Sequence, residues 1–431
     1  MKRLIVFSAD AMVTEDFEYL KTLPNYQKYL AGASIVERVR SIYPTITYPC
    51  HTTMLTGVWP NKHGIAGNYQ LVPGQKPIPW KWFYDWVQWR DDLFTRAKQA
   101  GYTTASVFWP VTGNHPAIDY LVAEYWAQSE QDDLRDVYAR SGSSPEVMEI
   151  VAQHMNDDAC RKRLHPPLER FTVSCACDIL RRFQPHLLFL HPANIDDYRH
   201  KTGVFTDVVT RGIEETDQWI GEIMETLEEL GLREETNFVL TSDHGQMETK
   251  RVVNLNVMLA DNGLIRVGED GSLLDWDAWC LSGGFSALVY LKDKQDKALY
   301  DRVYRLLQQM VDEGIYGVSR VFTQEEADRE EHLGGDFSFV LETDGFSSLG
   351  DGYQRPIVTT FDTSDYRYGR ATHGYLPHKG PQPIFVAKGP DFKENVVLPE
   401  GRLVDEAPTL AKLLGLELPS ADGIPMSELL K

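Results

Sequence analysis

The chain has 431 residues, of which 42% are hydrophobic and 25% charged, which is typical of a soluble globular protein with room for two or three domains. Its formal net charge of -20 would repel polyanions, so we do not expect long nucleic acid or an anionic membrane as a partner. A small phosphate-bearing substrate is still compatible with this charge, because bound cations can reverse the local field. The five cysteines form no CxxC pair, and this odd count favours reduced thiols and a cytoplasmic location over a disulfide framework.

The N-terminal segment starts with two basic residues and an apolar run, as a signal peptide does. The apolar run, residues 4–7, is too short for that role, and Asp10 soon interrupts it. We therefore expect the first buried strand here. No other stretch approaches the roughly 18 apolar residues that a membrane span needs.

Short apolar runs that end in polar residues alternate with helical patterns along the chain. Buried strands are predicted at 3–10, 103–110, 186–194 and 237–245, and an amphipathic helix that stops at Gly231 separates the last two. Strand, helix and strand in this order predict a mostly parallel sheet covered by helices on both faces. Ligands of such sheets bind beyond the carboxyl ends of the strands, where the polar residues of these runs lie.

Two segments depart from this alternation. Residues 111–185 are predicted to form a mainly helical insert, with one helix beginning at Ser144. Residues 255–360 combine two strand patterns, one helical pattern and Gly-rich stretches, and we predict a smaller α+β cap domain there. The core would then comprise 1–254 and 361–431.

Aspartate and histidine residues follow several of the predicted strands. They are Asp10, Asp196, His200, Asp243, His244 and His373. One such residue alone is more often a helix cap or a turn residue, but a cluster of carboxylates at one sheet edge would repel and resist ionisation. Mixed Asp and His ligation suits zinc, and these side chains suffice for two ions with positions left open for a substrate.

The stretch 43–68 carries a hydroxyl group near the start of a short predicted helix that ends at Gly57. In that position Thr47 would face backbone N–H donors and the positive end of the helix dipole, which suits an anionic phosphoryl group or a nucleophilic alkoxide. Threonine is also a common N-cap residue, and on this stretch alone we favour the capping interpretation.

The same stretch resembles the nucleophile segment of the type I phosphodiesterase / nucleotide pyrophosphatase family, within the alkaline phosphatase superfamily. Its matching residues are Pro44, Thr45, Thr47, Tyr48, Pro49, His51, Thr56, Gly57, Pro60, His63, Gly64, Ile65 and Asn68. The other family motifs follow in order at Asp10, Asp196 with His200, Asp243-His244-Gly245 and His373-Gly374-Tyr375. The resemblance spans the core and does not clearly cover 111–185 or 255–360.

The resemblance implies an α/β fold, an alkaline-phosphatase-like α/β/α sandwich, with two divalent metal ions, zinc by preference and manganese as the alternative. The implied ligands are Asp196, His200 and His373 for one ion and Asp10, Asp243 and His244 for the other. The second ion would also bind the oxygen of Thr47, and Asn68 would direct its amide at a phosphoryl oxygen. The implied activity is phosphodiester or pyrophosphate hydrolysis through a phosphothreonine, on a small phosphate ester such as a nucleotide.

Other activities of the superfamily remain alternatives. A phosphonate hydrolase shares this core, and the 255–360 insertion is compatible with a phosphomutase, although the 43–68 segment favours a phosphodiesterase. A sulfatase is disfavoured, because Thr47 cannot become a formylglycine and His51 stands where an arginine is expected. The alternative without catalysis is a silent metal-binding scaffold, against which the complete set of ligands and nucleophile argues.

The substrate is the least determined part of the prediction. The aromatic stretch 79–89 and Trp109 are candidates for a wall that stacks on a nucleobase. No arginine stands out as the group that would grip a dianionic phosphate, which favours diesters. The oligomeric state is left open, with a homo-oligomer as one alternative.

Overall fold

A computed structural model describes all 431 residues of the chain. Its central sheet has eight strands, and in spatial order they are Val397–Leu398, Ser34–Val36, Phe385–Lys388, Thr236–Thr241, Arg3–Ser8, Leu187–Leu190, Thr104–Val107 and Tyr120–Val122. Phe385–Lys388 runs antiparallel to both neighbours, and every other pairing in the sheet is parallel. The predicted mostly parallel sheet is confirmed, and all four predicted strands lie in it.

Alternate residues of the first strand enter two different hydrophobic cores, one on each face of the sheet. Ile5 and Phe7 pack into one core, and Leu4 and Val6 into the other. Because helices cover both faces, the strand has no solvated side, which explains its unbroken apolar sequence. The helices of these layers and of the insert are Thr14–Leu20, Thr47–Thr56, Leu93–Gln99, Leu134–Arg140, Pro145–His154, Asp157–Lys162, Pro167–Phe183, Asn194–Thr202, Asp207–Glu229 and Glu406–Leu414.

The insert between 111 and 185 contains four of these helices, as predicted for a mainly helical segment. Ser144 caps the helix Pro145–His154, since its side chain accepts a hydrogen bond from the Val147 N–H. The sequence pattern did not mark the edge strand Tyr120–Val122, which is only three residues long.

Residues 255–360 contain a second, antiparallel sheet with a hydrophobic cluster of its own. Its strands, in spatial order, are Ala278–Ser282, Ser286–Leu291, Phe339–Thr343 and Val318–Thr323, accompanied by the helices Leu255–Asp261, Lys297–Glu313 and Gln324–Glu331. A small sheet joins Ser347–Gly350 and Val358–Thr359 to Arg251–Asn254, so strand pairing crosses the predicted boundary at 255. The division into core and cap stays a prediction.

None of the helices has the length and apolar character that crossing a lipid bilayer requires. All five cysteines are buried and free.

Candidate active site

The predicted site residues converge at the carboxyl edge of the central sheet. In the parallel register Phe7 pairs with both Leu190 and Leu240, so the ends of three strands lie side by side. Asp10 follows the first of these strands, and Asp243 follows the strand that ends at Thr241. This alignment brings together residues that are more than 200 positions apart in the sequence.

One group of candidate ligands consists of Asp196, His200 and His373, whose nearest ligand atoms all lie within 4.8 Å of one another. The helix Asn194–Thr202 carries the first two on one face, with His200 Nε2 3.1 Å from Asp196 Oδ2. His200 Nδ1 lies 2.7 Å from the Ala371 carbonyl oxygen, and His373 Nδ1 lies 3.0 Å from that of Thr45. With each Nδ1–H donated to a carbonyl group, each Nε2 is left with a lone pair for a metal.

The second group is built from Asp10, Asp243 and His244. His244 Nε2 lies 3.2 Å from Asp243 Oδ2 and 3.7 Å from Asp10 Oδ1. The ligand atoms that lie within 4.8 Å of one another here are those of Asp10, Asp196 and His244, without Asp243, so Asp196 stands within reach of both groups. The His244 ring stacks on that of His373 with a centroid distance of 4.1 Å, and the two groups are therefore adjacent.

The chemistry of these donors fits divalent cations. Asp10 Oδ1 and Asp243 Oδ2 are buried and have no hydrogen-bond partner, which is costly for a carboxylate. Burial, reinforced by the charge of Asp10, raises the pKa of Asp243 to about 7. A bound cation would satisfy both oxygens and keep the two carboxyl groups ionised.

The capping role that the local sequence favoured for Thr47 is wrong. The N-cap position of the helix Thr47–Thr56 is held by Ile46, and Thr47 is the first residue of the helix. Its hydroxyl oxygen lies 3.3 Å from His244 Nε2 instead, at the edge of the second group. The helix ends at Gly57, whose positive φ of 69° provides the expected left-handed cap.

Asn68 lies against the first turn of this helix. Its Oδ1 accepts a hydrogen bond of 2.9 Å from the Tyr48 N–H, and its Nδ2 lies 3.4 Å from the Tyr366 hydroxyl. Because Oδ1 is occupied by a backbone donor, the orientation of the amide is fixed. The Nδ2 donor then faces the cavity beside Thr47, where an oxygen of a bound phosphoryl group would lie.

Two buried histidines, which were not among the predicted site residues, support the site. His191 lies with Nε2 3.0 Å from Asp10 Oδ2. His51 bridges the first strand and the helix, with Nε2 2.9 Å from Ser8 Oγ and Nδ1 2.9 Å from the Thr47 carbonyl oxygen. In the sequence, only the position of His51 within the nucleophile motif pointed to a role at the site. Both residues restrain the groups that carry the chemistry.

The cavity above the two groups has a volume of about 410 Å³. Its floor carries Thr47, Asp10, Asp196, His200 and His373, and its walls include Tyr69, Trp80, Glu124, Trp126, Lys162, Arg163, His165 and Tyr366. Of the aromatic stretch 79–89, only Trp80 lines this cavity.

The prediction that Trp109 contacts the substrate is wrong. Its side chain is completely buried, and the indole N–H donates to the His51 carbonyl oxygen at 3.3 Å. The ring packs edge-on against Phe189, at a centroid distance of 4.7 Å, beneath the floor of the site. His378, five residues after His373, is exposed and lies outside both groups.

Comparison with known proteins places these features in a family context. The sequence model of the type I phosphodiesterase / nucleotide pyrophosphatase family matches residues 4–355. Ectonucleotide pyrophosphatase/phosphodiesterase family member 1 of Homo sapiens is 26% identical over 274 residues, which cover 61% of this chain and 26% of that protein. Bis(5'-adenosyl)-triphosphatase ENPP4 of Homo sapiens is 25% identical, with 56% of this chain and 47% of that protein covered. The chain thus spans about a quarter to a half of these relatives.

Solved structures show the same fold. Murine ectonucleotide pyrophosphatase / phosphodiesterase 5 superposes with a TM-score of 0.66 at 19% identity, and the match covers 100% of both chains. An inactive threonine-to-alanine variant of that protein in complex with AMP gives 0.67 at 18% identity, again over 100% of both chains. The alkaline-phosphatase-like architecture is therefore confirmed.

Proposed function

This chain belongs to the type I phosphodiesterase / nucleotide pyrophosphatase family, and we propose that it hydrolyses phosphodiester or pyrophosphate bonds of small substrates at the cavity described above. One observation carries this proposal. The hydroxyl oxygen of Thr47, at the start of a helix, lies 3.3 Å from His244 Nε2, beside buried carboxylates that lack hydrogen-bond partners. A nucleophile, an anion-binding helix terminus and a set of metal ligands thus share one floor.

Two divalent cations complete the proposed site. Asp196, His200 and His373 would hold one, and Asp10, Asp243 and His244 the other. Zinc suits this mixture of imidazole and carboxylate donors, with manganese as the alternative. When bound, the ions would supply Lewis acidity to the attacking and leaving oxygens.

The chain's own residues determine how the substrate is attacked. Thr47 Oγ1 is the proposed nucleophile, which displaces the leaving group and becomes a phosphothreonine that water then hydrolyses. Asn68 Nδ2 donates to a non-bridging oxygen of the phosphoryl group, where negative charge develops. His51 restrains the Thr47 carbonyl group, and so holds the first turn of the helix in place.

A nucleotide is the proposed substrate class. Trp80 lies 5.1 Å from Trp126 and 4.7 Å from Tyr69 between ring centroids, which gives the cavity a continuous aromatic wall. Such a wall suits stacking with a nucleobase. Two comparison proteins, a bis(5'-adenosyl)-triphosphatase and an inactive phosphodiesterase variant in complex with AMP, support the same class.

The test compares wild-type protein with Thr47→Ala and Thr47→Ser after loading with zinc. We expect wild type to release p-nitrophenol from bis-p-nitrophenyl phosphate, Thr47→Ser to retain part of this activity, and Thr47→Ala to lose it. A substrate panel with monoesters and phosphonates separates a phosphodiesterase from a phosphonate hydrolase. Full activity in Thr47→Ala would contradict the assigned nucleophile, and two bound ions without any turnover would favour the metal-binding scaffold.

A reducing, cytoplasmic location remains a proposal that rests on the five buried free cysteines. Relatives are named as ectonucleotide enzymes, so fractionation of source cells with an antibody against this chain is the decisive measurement.

A further inference from the structure

One segment of the helical insert brings basic side chains to the cavity of a strongly acidic protein. The helix Asp157–Lys162 ends at Arg163, whose backbone has a left-handed φ of 51°, and His165 follows two residues later. Lys162, Arg163 and His165 all line the cavity above Thr47. In a chain with a net charge of -20, this local positive charge is directed at the site where the proposed substrate binds.

Arg163 is held by aromatic rings and by no carboxylate. Its guanidinium carbon lies 4.3 Å from the ring centroid of Trp126 and 5.0 Å from that of Trp80, within the range of cation–π attraction. No carboxylate lies within ion-pair distance of it, and its side chain makes no hydrogen bond within the protein. By contrast, Arg367, which lies over the ring of Tyr69, is paired with Asp365. The N–H donors of Arg163 are therefore available to a ligand.

His165 adds a second, oriented nitrogen to the same wall. Its ring is almost fully buried, and Nδ1 lies 2.6 Å from Glu169 Oε1. Burial opposes protonation, but the charge and the hydrogen bond of Glu169 outweigh it and raise the pKa of His165 above its usual value. Nε2 has no hydrogen-bond partner in the protein, so the protonated ring can donate from this atom.

From these contacts we propose that Arg163 and His165 form a second anion subsite, which binds a phosphate group of the substrate other than the one transferred to Thr47. This subsite rests on the proposed function and refines its substrate class. It favours substrates whose leaving group itself carries phosphate over diesters whose leaving group is uncharged. A planar guanidinium and an imidazolium are well suited to grip the several oxygens of such a phosphate.

A purely structural role for Arg163 makes a different prediction. Glu124 lines the same cavity with one carboxylate oxygen that is buried and unpartnered, and Arg163 opposes the rise in the pKa of Glu124 that burial causes. If Arg163 served only to balance Glu124, its removal would affect all substrates to the same extent.

The experiment uses two substrates that share the adenosine and the transferred phosphoryl group and differ in the leaving group. They are ATP, whose leaving group is pyrophosphate, and the p-nitrophenyl ester of AMP, whose leaving group carries no phosphate. We expect Arg163→Gln to lower kcat/KM for ATP by about 10- to 100-fold, as the loss of a charge-assisted contact to phosphate implies, and to change the value for the ester by less than about threefold. Arg163→Lys should lie between wild type and Arg163→Gln.

Arg170→Gln is the matched control, because Arg170 is an exposed arginine nearby in the sequence that does not line the cavity. A binding measurement separates recognition from turnover: in the Thr47→Ala background, the preference for ADP over AMP in calorimetry should fall when Arg163→Gln is added. Equal losses on both substrates, with the ester still hydrolysed by wild type, would overturn the subsite and leave the proposed function standing. A wild-type protein inactive on both substrates would overturn the proposed function and the subsite with it.

Discussion

Asn68→Asp is expected to remove most of the hydrolytic activity while it leaves the fold intact. In the structure Asn68 Oδ1 accepts the Tyr48 N–H at 2.9 Å, and an aspartate oxygen of the same shape can keep that bond. The substitution therefore acts on the other end of the side chain. There it replaces the Nδ2 donor, which is proposed to bind the phosphoryl group, with a second oxygen that carries negative charge.

The expected loss in kcat follows from the number of hydrogen-bond donors that the substitution removes. Removal of one preorganised donor from a developing oxyanion costs about 2.7–4 kcal/mol, or about 100- to 1,000-fold in kcat, and repulsion between the new carboxylate and the phosphoryl group adds to this loss. Asn68→Ala loses the bond to the Tyr48 N–H as well, so it should lower the free energy of unfolding by about 1 kcal/mol, whereas Asn68→Asp should not.

The assay is the kcat of zinc-loaded variants on bis-p-nitrophenyl phosphate, together with thermal unfolding of each variant. Asn262→Asp makes the same change of charge at an exposed residue that caps the C-terminus of a distant helix, and it should keep the kcat of wild type. A kcat for Asn68→Asp within about threefold of wild type would show that Nδ2 does not stabilise the transition state.

Three further predictions concern stability. Removal of divalent metal by a chelator should abolish hydrolysis and lower the midpoint of thermal unfolding, because Asp10 and Asp243 would then hold buried carboxylate oxygens without partners. Calorimetry combined with metal analysis tests this prediction, and an unchanged midpoint would argue against metal at these residues. Acidification from pH 7 to pH 5 should lower the free energy of unfolding by about 2 kcal/mol through His63 alone, because burial lowers its pKa to about 3 in the folded state, whereas the unfolded chain, with a pKa near 6.5, takes up the proton first. This stability is present above pH 6.5 and is lost as the pH falls toward 3. In urea titrations His63→Gln should therefore lose less stability on acidification than wild type, and equal losses would refute the burial argument. Gly374→Ala should lower the free energy of unfolding by about 3 kcal/mol or more in the same titrations, since the φ of Gly374 is 95° and a Cβ would overlap the Gly283 carbonyl oxygen. The control Gly231→Ala, at a φ of 67° with open space around it, should lower it by only about 1 kcal/mol. Similar losses for both variants would show that the backbone near Gly374 can move aside.

The sequence predicted most of the core because several local signals agreed there. Apolar runs such as residues 4–7 mark buried strands, and the polar residue that follows each run marks the carboxyl edge of a parallel sheet. Asp10, Asp196, Asp243 and their histidine neighbours could therefore be placed at one edge before any contact between them was known.

The remaining features depend on contacts between distant segments, for which the sequence has no local signal. Thr47 has the pattern of an N-cap, but Ile46 takes that position and the hydroxyl turns to His244. Trp109 is an aromatic residue of the kind that stacks on nucleobases, yet it is buried beneath the floor of the cavity. Arg163 could not be recognised, because its role depends on how the insert packs against Trp80.

The central claim is that Thr47 attacks phosphorus and forms a covalent intermediate. The most direct test is the stereochemical course of hydrolysis, measured on a phosphorothioate diester that is chiral at phosphorus in water enriched with heavy oxygen. Two successive in-line displacements, first by Thr47 and then by water, predict overall retention of configuration at phosphorus. Overall inversion would show that water attacks the substrate directly, and it would contradict the role assigned to Thr47.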